Sequence, residues 1–255
     1  MSISARCVMK PSLSVVIPAF NEEENLEWVV QDTLSVLDHR FSSSEIIVVN
    51  DGSSDQTSFI ANRLASTYPN IRVIHHERNM GLGYSVREGY DLASKDYVVW
   101  NPGDGGMTRG SLNEMFDLIG KADLIIPHIA NPEFRSFARR FVSRAYVLIL
   151  NFLFRLRLRC YNGTVIYRSD QIKAVKTSTF GFYFFSEALI LLLKSGCSYI
   201  EVPTIHQKRT HGKSKAFTFK NIMEILRMAI ALAWDVRFNK AKTTVVLTDI
   251  KATKV

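Results

Sequence analysis

Five predominantly apolar runs, most of them separated by helix-like amphipathic stretches, follow one another through the first half of this 255-residue chain. A strand that is apolar along its whole length has both faces covered, which is typical of parallel sheets. Parallel neighbours need a long crossover connection, and the stretches between the runs supply one. The pattern therefore predicts an α/β fold with a mostly parallel, Rossmann-like sheet and helices on both faces. The runs are Leu13–Pro18, Glu45–Asn50, Ile71–His76, Tyr97–Trp100 and Asp123–Pro127.

Polar side chains follow three of these runs, at the points where the strands are predicted to end. Right-handed crossovers bring the carboxyl ends of parallel strands to one edge of a sheet, and ligands bind in the crevice there. The sequence therefore predicts one polar site built from three strand ends. Its candidate residues are Asn21 and Glu22, Asn50 and Asp51, and Asn101 and Asp104.

The second half of the chain is more basic and carries two amphipathic segments. Residues 134–159 contain seven arginines and no acidic residue, and their large apolar residues recur every three or four positions. This spacing predicts a helix with an apolar stripe beside a basic one, and residues 219–238 repeat the pattern. Helices of this kind lie in a membrane interface. We divide the chain into an N-terminal extension (1–12), a main domain (13–216), an interfacial amphipathic helix (217–238) and a tail (239–255).

A net charge of +8 predicts an anionic partner: nucleic acid, an anionic membrane face or a phosphorylated substrate. No helix-turn-helix, finger or RNA-binding signature accompanies the charge, which argues against nucleic acid. The three cysteines are far apart, which suits a reducing compartment. No apolar stretch reaches the ~20 residues that a spanning helix needs. We therefore expect a cytoplasmic protein, peripheral on a membrane surface, with no transmembrane helix.

Several short motifs follow one another in a recognisable order. Residues 16–22 read V-I-P-A-F-N-E, residues 48–55 read V-V-N-D-G-S-S-D, and residues 78–83 read R-N-M-G-L-G. Further on, residues 200–215 contain E-V-P and then R-T-H-G-K-S-K. Together these motifs resemble the inverting family-2 glycosyltransferases of the GT-A fold. The last pair is similar to a motif of the dolichyl- and polyprenyl-phosphate hexosyltransferases.

The resemblance implies transfer of a hexose from a GDP- or UDP-sugar to a polyprenyl phosphate at the cytoplasmic membrane face. It also implies inversion at the anomeric carbon and a divalent cation, Mg²⁺ or Mn²⁺. Nucleoside contacts would come from Pro18, Asn21, Glu22 and Asp51. The catalytic residues would be Asp104, which would hold the metal, Arg209 and Lys215. Acceptor contacts would come from Arg135, Arg140, Ser143, Lys213 and Ser214.

The chain departs from the family's pattern at the metal site. The usual D-A-D triplet is Pro102-Gly103-Asp104, and the residue two beyond it, often glutamine, is Gly106. Only one carboxylate of the triplet remains, although Mg²⁺ can bind through one carboxylate plus substrate phosphates. Asn50 replaces another family aspartate, which leaves the identity of the nucleotide open.

The histidines do not show the spacing of a metal site. His75, His76, His206 and His211 lack the i,i+4 separation of two ligands on one helix face. We therefore predict that they are surface or core residues.

Two other functions remain open at this stage. A sugar hydroxyl as acceptor needs a general base, and Glu187 is the one candidate. A phosphate monoester needs none, because its second pKa near ~6 leaves it largely dianionic. The alternatives are therefore transfer to a saccharide hydroxyl of an envelope glycan, with Glu187 as base, and a degenerate, non-catalytic sugar-nucleotide binder.

Overall fold

The structure is a computed structural model that describes residues 10–178, 181, 183–207, 230 and 232–234. A seven-stranded sheet forms the central layer of these residues, in the order β3-β2-β1-β4-β6-β5-β7. The strands are β1 (Leu13–Ala19), β2 (Ser44–Asn50), β3 (Ile71–His75), β4 (Tyr97–Trp100), β5 (Leu124–Ile129), β6 (Ile166–Arg168) and β7 (Tyr199–Thr204). The helices are α1 (Leu26–Leu37), α2 (Thr57–Thr67), α3 (Leu82–Leu92), α4 (Arg109–Phe116), α5 (Phe137–Phe154), α6 (Ser169–Ala174) and α7 (Phe184–Lys194).

The sheet is largely parallel, as predicted. Strands β1 to β4 run parallel to their neighbours, and β7 runs parallel to β5. The exception is the short strand β6, which is antiparallel to both β4 and β5. All seven residues of β1 are buried, and Val15 and Val16 belong to separate core clusters. Because neighbouring residues of a strand face opposite sides, helices cover both faces of the sheet.

Only a few residues of the predicted interfacial helix are described. Residues 230 and 232–234 are helical, and Leu232 and Ala233 pack against the core. Ile230 and Trp234, four positions apart, are exposed. The rest of residues 217–238, the tail and most of the N-terminal extension lie outside the described residues, so these domain boundaries remain predictions.

One buried carboxylate ties three segments together at the amino edge of the sheet. Glu45 Oε1 accepts hydrogen bonds from the Ser14 hydroxyl (2.7 Å) and from the backbone N–H of Ser94 (2.6 Å). Its Oε2 pairs with Arg72 at 2.9 Å. Burial raises the pKa of Glu45, but the hydrogen bonds from Ser94 and Ser14 outweigh it and hold the pKa below its ordinary value. The carboxylate therefore stabilises the fold in its ionised form.

We expect Glu45→Gln to lower the free energy of unfolding by about 2 kcal/mol at pH 7, because charged hydrogen bonds become neutral ones. The depressed pKa means that this stabilisation is present at neutral pH and lost at acid pH, as the pH falls through the lowered pKa of the folded protein. Urea unfolding at both pH values measures it. The control Glu27→Gln breaks an exposed pair with Arg63 and should cost less than about 0.5 kcal/mol. An equal loss from both variants would contradict the assigned role of Glu45.

Candidate active site

The loops that follow β1 and β2 are hydrogen-bonded to each other. Asn21 adopts a left-handed backbone conformation (φ 55°), which asparagine tolerates better than most residues. Its side-chain oxygen accepts from the Ser54 N–H (2.9 Å), and its own N–H donates to the Ser53 hydroxyl (3.0 Å). The N–H of Glu22 donates to the Thr57 hydroxyl (2.8 Å). Two of the three predicted strand ends thus meet at one edge of the sheet.

Asp51 connects the end of β2 to the loop before α3. The residue is buried, and its Oδ1 and Oδ2 accept from the backbone N–H groups of Met80 (2.7 Å) and Gly81 (2.8 Å). The ring of His76 lies 2.7 Å from Oδ1. Asp51 was predicted to contact the nucleoside, and that contact stays a prediction. In the structure, its carboxylate holds the loop before α3 in place at the site.

The turn after Asp51 depends on glycine. Gly52 has a φ of +68°, and a Cβ at this position would lie 2.4 Å from the backbone carbonyl carbon of Arg78. A side chain here would therefore both strain the backbone and push away the loop that Asp51 holds.

His76 lies between two carboxylates. Its Nδ1 faces Asp51, and its Nε2 lies 2.5 Å from Glu88 Oε2 on α3. Burial of the ring lowers its pKa, but the hydrogen bonds to Asp51 and Glu88 outweigh burial and raise the pKa above its ordinary value. The sequence did not reveal this role, because it depends on three residues from separate elements.

Its neighbour His75 has uncharged partners. The ring is hydrogen-bonded to Asn50 (3.0 Å) and to Asn62 (2.9 Å). Asn50, which replaces a family aspartate, is therefore tied to β3. Asn101, another candidate, donates to the Thr33 hydroxyl (3.0 Å) inside the core. Both asparagines are therefore held by hydrogen bonds to neighbouring elements, Asn50 to β3 and Asn101 to α1.

Asp104 lies in the loop between β4 and α4, beside the end of β1. Its Oδ1 accepts from the N–H of Gly106 (2.9 Å). The loop approaches the buried residue Pro18 so closely that a Cβ on Gly103 would be 2.8 Å from the Pro18 carbonyl oxygen. The third predicted strand end therefore joins the other two.

The segment after β7 packs along the Asp104 loop. Met107 and His206 form an antiparallel bridge, and Gln207 donates to the carbonyl oxygens of Gly105 (2.9 Å) and Gly106 (3.1 Å). His206 is thereby brought near Asp104, a position that the sequence did not predict.

The ring of His206 is neutral. Burial, and next to it the nearby charge of Arg135, lowers its pKa to about 4, while Asp104 opposes the shift. His206 is therefore close to both Asp104 and Arg135, and a neutral imidazole is available as a metal ligand.

Asp104 and His206 offer donor atoms that suit a divalent cation whose coordination is completed by the substrate. No group of three or more His, Cys, Asp or Glu side chains that could hold a metal occurs in the described part of the chain. If a cation binds with the substrate, Asp104 and His206 would supply one carboxylate and one imidazole, and the oxygens of a diphosphate and of water would complete the coordination.

Three of the five predicted acceptor residues lie at or just before the start of α5. Arg135 precedes the helix, and burial followed by the proximity of Arg139 lowers its pKa to about 10. The Arg140 guanidinium lies 5.8 Å from the centre of the Phe137 ring, and Ser143 follows one turn later. Asn131, four residues before Arg135, is hydrogen-bonded to the backbone of His206 (2.7 and 2.9 Å), so the start of α5 lies near the segment that packs along the Asp104 loop.

Glu187, the candidate general base, is buried in α7. Its Oε1 accepts from the backbone N–H of Ser178 (2.8 Å), and its side chain lies within the helical layer that covers the sheet. The neighbouring Ser186 is hydrogen-bonded to Tyr146 of α5 (2.6 Å) and to Asn162. The Ser186 hydrogen bond to Tyr146 joins α7 to α5. The Ser178 N–H gives the Glu187 carboxylate a hydrogen-bond partner within the fold.

One face of α5 exposes a stripe of large apolar side chains. The opposite face packs into the core through Leu150 and Phe154. None of the helices among the described residues is long and apolar enough to cross a bilayer. The exposed stripe consists of Phe137, Phe141, Leu148 and Phe152, which are 66–84% exposed.

Four predicted site residues lie outside the described residues. They belong to the predicted basic loop 207–220, which follows β7 in the sequence, and their roles remain predictions. They are Arg209, Lys213, Ser214 and Lys215.

Comparison with known proteins agrees with the motifs. A dolichyl-phosphate beta-glucosyltransferase of Trichomonas vaginalis is 36% identical over 98 residues, which cover 36% of this chain and 30% of the relative. The match thus spans less than a third of that relative's length. An undecaprenyl-phosphate mannosyltransferase of Micrococcus luteus is 25% identical over 239 residues, covering 86% of this chain and 95% of the relative.

The fold also has solved counterparts. A crystal structure of Mycobacterium tuberculosis glucosyl-3-phosphoglycerate synthase, in complex with Mg²⁺ and uridine diphosphate, superposes with a TM-score of 0.67 at 16% identity. The superposition covers 88% of this chain and 79% of that one, which confirms the predicted GT-A fold class. Residues 14–184 match the family model described as Glycosyl transferase family 2. Because this match covers well over half of the sequence, the chain belongs to glycosyl transferase family 2.

Proposed function

We propose that the protein transfers a hexose from a GDP- or UDP-sugar to a polyprenyl phosphate, with inversion, at the cytoplasmic face of a membrane. The observation that carries the proposal is the position of the segment at His206, which is hydrogen-bonded both to the Asp104 loop, through Gln207, and to Asn131, four residues before Arg135. A carboxylate suited to a metal–diphosphate and an arginine suited to a phosphate are thereby brought to one site. The two named relatives, which carry dolichyl-phosphate and undecaprenyl-phosphate in their names, support this acceptor class.

The donor would bind across the three strand ends. Pro18, Asn21, Glu22 and Asp51 surround the nucleoside end, and Asp104 lies at the diphosphate end. Asp104 and His206 are the described residues that would hold a divalent cation there. When bound, the cation would stabilise negative charge on the leaving nucleoside diphosphate. The solved relative with Mg²⁺ and uridine diphosphate supports this part of the proposal.

The acceptor phosphate would serve as its own nucleophile. One of its oxygens bonds to the anomeric carbon from the side opposite the diphosphate, and the bond from that carbon to the diphosphate oxygen breaks. The products are a polyprenyl phosphate hexose and a nucleoside diphosphate. Arg135, Arg140 and Ser143 would bind the acceptor phosphate, with Lys213 and Ser214 from the basic loop. Arg209 and Lys215 would neutralise the leaving diphosphate.

Nucleotide-sugar consumption with different acceptors tests the proposal. We expect release of nucleoside diphosphate only when polyprenyl phosphate is present. Release with a saccharide and not with the lipid would support the glycan-directed alternative with Glu187 as base. Binding of a nucleotide sugar without release in any mixture would identify a non-catalytic binder.

The exposed stripe of α5 should hold the protein on anionic vesicles. Burying large apolar side chains in the interface contributes about 25 cal/mol per Å², and arginines on the same helix add attraction to anionic lipid. We expect the double variant Phe141→Ser, Phe152→Ser to bind phosphatidylglycerol vesicles about tenfold more weakly in sedimentation. High salt should weaken binding of the wild type.

Phe59→Ser is the matched control, because Phe59 is equally exposed but lies on α2. It should bind vesicles like the wild type. Equal weakening in the control and the double variant, or binding insensitive to salt, would contradict a membrane-facing role for α5.

A further inference from the structure

Two acidic side chains from separate elements meet one buried histidine beside the candidate donor site. The Nδ1 of His76 lies 2.7 Å from Asp51 Oδ1, and its Nε2 lies 2.5 Å from Glu88 Oε2. An ionised carboxylate only accepts hydrogen bonds, so both ring nitrogens need a proton to bond in this way. The arrangement therefore fits the doubly protonated imidazolium.

The surroundings of the ring favour that charged form. Among the described residues, the charged and titratable groups that face it are Asp51 at the end of β2 and Glu88 and Tyr84 on α3. The Tyr84 ring packs edge-on, with 5.5 Å between ring centres. The His76 side chain is only 8% exposed, so little of the ring is open to water.

Asp51 connects this histidine to the donor site. The same carboxylate accepts the N–H groups of Met80 and Gly81, which lie in the loop that begins α3. We propose that His76 is a positioning residue: by bridging Asp51 and Glu88, it holds Asp51 and the Met80–Gly81 loop in the arrangement that binds the nucleotide. The inference rests on the proposed function, since it places the nucleotide beside Asp51.

The bridge should respond to pH. A neutral imidazole has one N–H and can donate to only one of the two carboxylates. The raised pKa of His76 means that the full bridge is present at low pH and is lost as the pH rises through a value above about 6.5. We expect nucleotide-sugar binding to weaken about tenfold across that transition, as one charged hydrogen bond is lost.

The Glu88→Gln variant distinguishes a positioning role of His76 from a purely structural role in folding. The amide of a glutamine can donate to an unprotonated Nε2, so a neutral His76 would keep both bonds, with its Nδ1–H directed at Asp51. This variant should bind as tightly as the wild type does at low pH, and its binding should stay constant at high pH. In His76→Gln, the side-chain amide can donate to one carboxylate, but its carbonyl oxygen faces the other. This variant should therefore bind the nucleotide sugar about tenfold more weakly than the wild type does at low pH, and its binding should not change with pH.

The test is titration calorimetry with UDP-glucose and GDP-mannose between about pH 6 and pH 9, without lipid. The diphosphate groups of both donors keep the same charge across this range. The control is His75→Gln, which changes the adjacent histidine, whose partners Asn50 and Asn62 are uncharged. It should keep the wild-type pH profile.

The outcomes separate the two proposals. Wild-type binding that does not change with pH, or a Glu88→Gln variant that keeps the wild-type transition, would overturn the role of His76 and leave the proposed function standing. Failure of the wild type to bind either nucleotide sugar at any pH would overturn the proposed function and the positioning role with it.

Discussion

Asp104→Ala should lower turnover by at least about a hundredfold and leave the free energy of unfolding nearly unchanged. Removing one group that stabilises developing charge typically costs a factor of 10² to 10³ in rate. Asp104 lies in a loop and is only partly buried, so the fold does not depend on its packing. Steady-state kinetics together with urea unfolding measure both quantities. Asp38→Ala, which removes an exposed carboxylate beside His39, should keep full turnover.

A cation at this site adds a second readout. Mn²⁺ should strengthen binding of UDP or GDP to the wild type, and either Asp104→Ala or His206→Ala should remove that enhancement. EDTA should inhibit turnover. An Asp104→Ala enzyme that keeps more than about a tenth of wild-type turnover would show that the assigned role is wrong, since that loss is only about 1.4 kcal/mol. Full activity in EDTA would assign the diphosphate charge to Arg209 and Lys215 instead.

Arg140→Ala should raise the apparent KM for polyprenyl phosphate at least about tenfold and leave nucleotide-sugar binding unchanged. A hydrogen bond to a charged group contributes about 1.5–3 kcal/mol, which corresponds to a factor of ten or more. Arg140 lies on α5, and its Nε–H is buried with no hydrogen-bond partner among the described residues. The planar guanidinium suits a phosphate better than an ammonium does.

Arg209→Ala should show the opposite pattern, with weaker nucleotide-sugar binding or lower turnover at saturating lipid. Arg63→Ala, which breaks an exposed ion pair on α2, is the control and should change neither constant. If Arg140→Ala leaves the lipid kinetics unchanged, the helix α5 does not bind the acceptor phosphate, and the phosphate-acceptor proposal loses its main structural support.

The central strands of the sheet were predictable because they are buried on both faces. Such strands leave continuous apolar runs, and the predicted bounds of β1 to β4 agree with the structure to within one residue at each end. The direction of β6 was not predictable, because its three residues carry too little pattern to show whether a strand is parallel or antiparallel. The helix α4 was missed for a related reason, since Gly110 and polar residues interrupt its apolar spacing.

The candidate site, like the sheet, was predictable only in part. The convergence of the loops at Asn21, Asp51 and Asp104 follows from the rule for strand ends, so the sequence could predict it. The roles of His76 and His206 could not be predicted, because they depend on contacts between distant segments. His76 meets a carboxylate 25 positions away, and Gln207, next to His206, bonds to a carbonyl 102 positions away. No local pattern of residues carries such information.

Comparing polyprenyl phosphate with polyprenol of the same chain length tests whether the acceptor is a lipid phosphate. The purified protein would be incubated with a labelled nucleotide sugar, a divalent cation and either lipid, and the lipid extract analysed for hexose. The account predicts a hexosyl phosphate lipid from polyprenyl phosphate and no lipid-linked hexose from polyprenol, because the phosphate is both nucleophile and ligand of the arginines. Equal transfer to polyprenol, or transfer to a saccharide hydroxyl with neither lipid labelled, would contradict it.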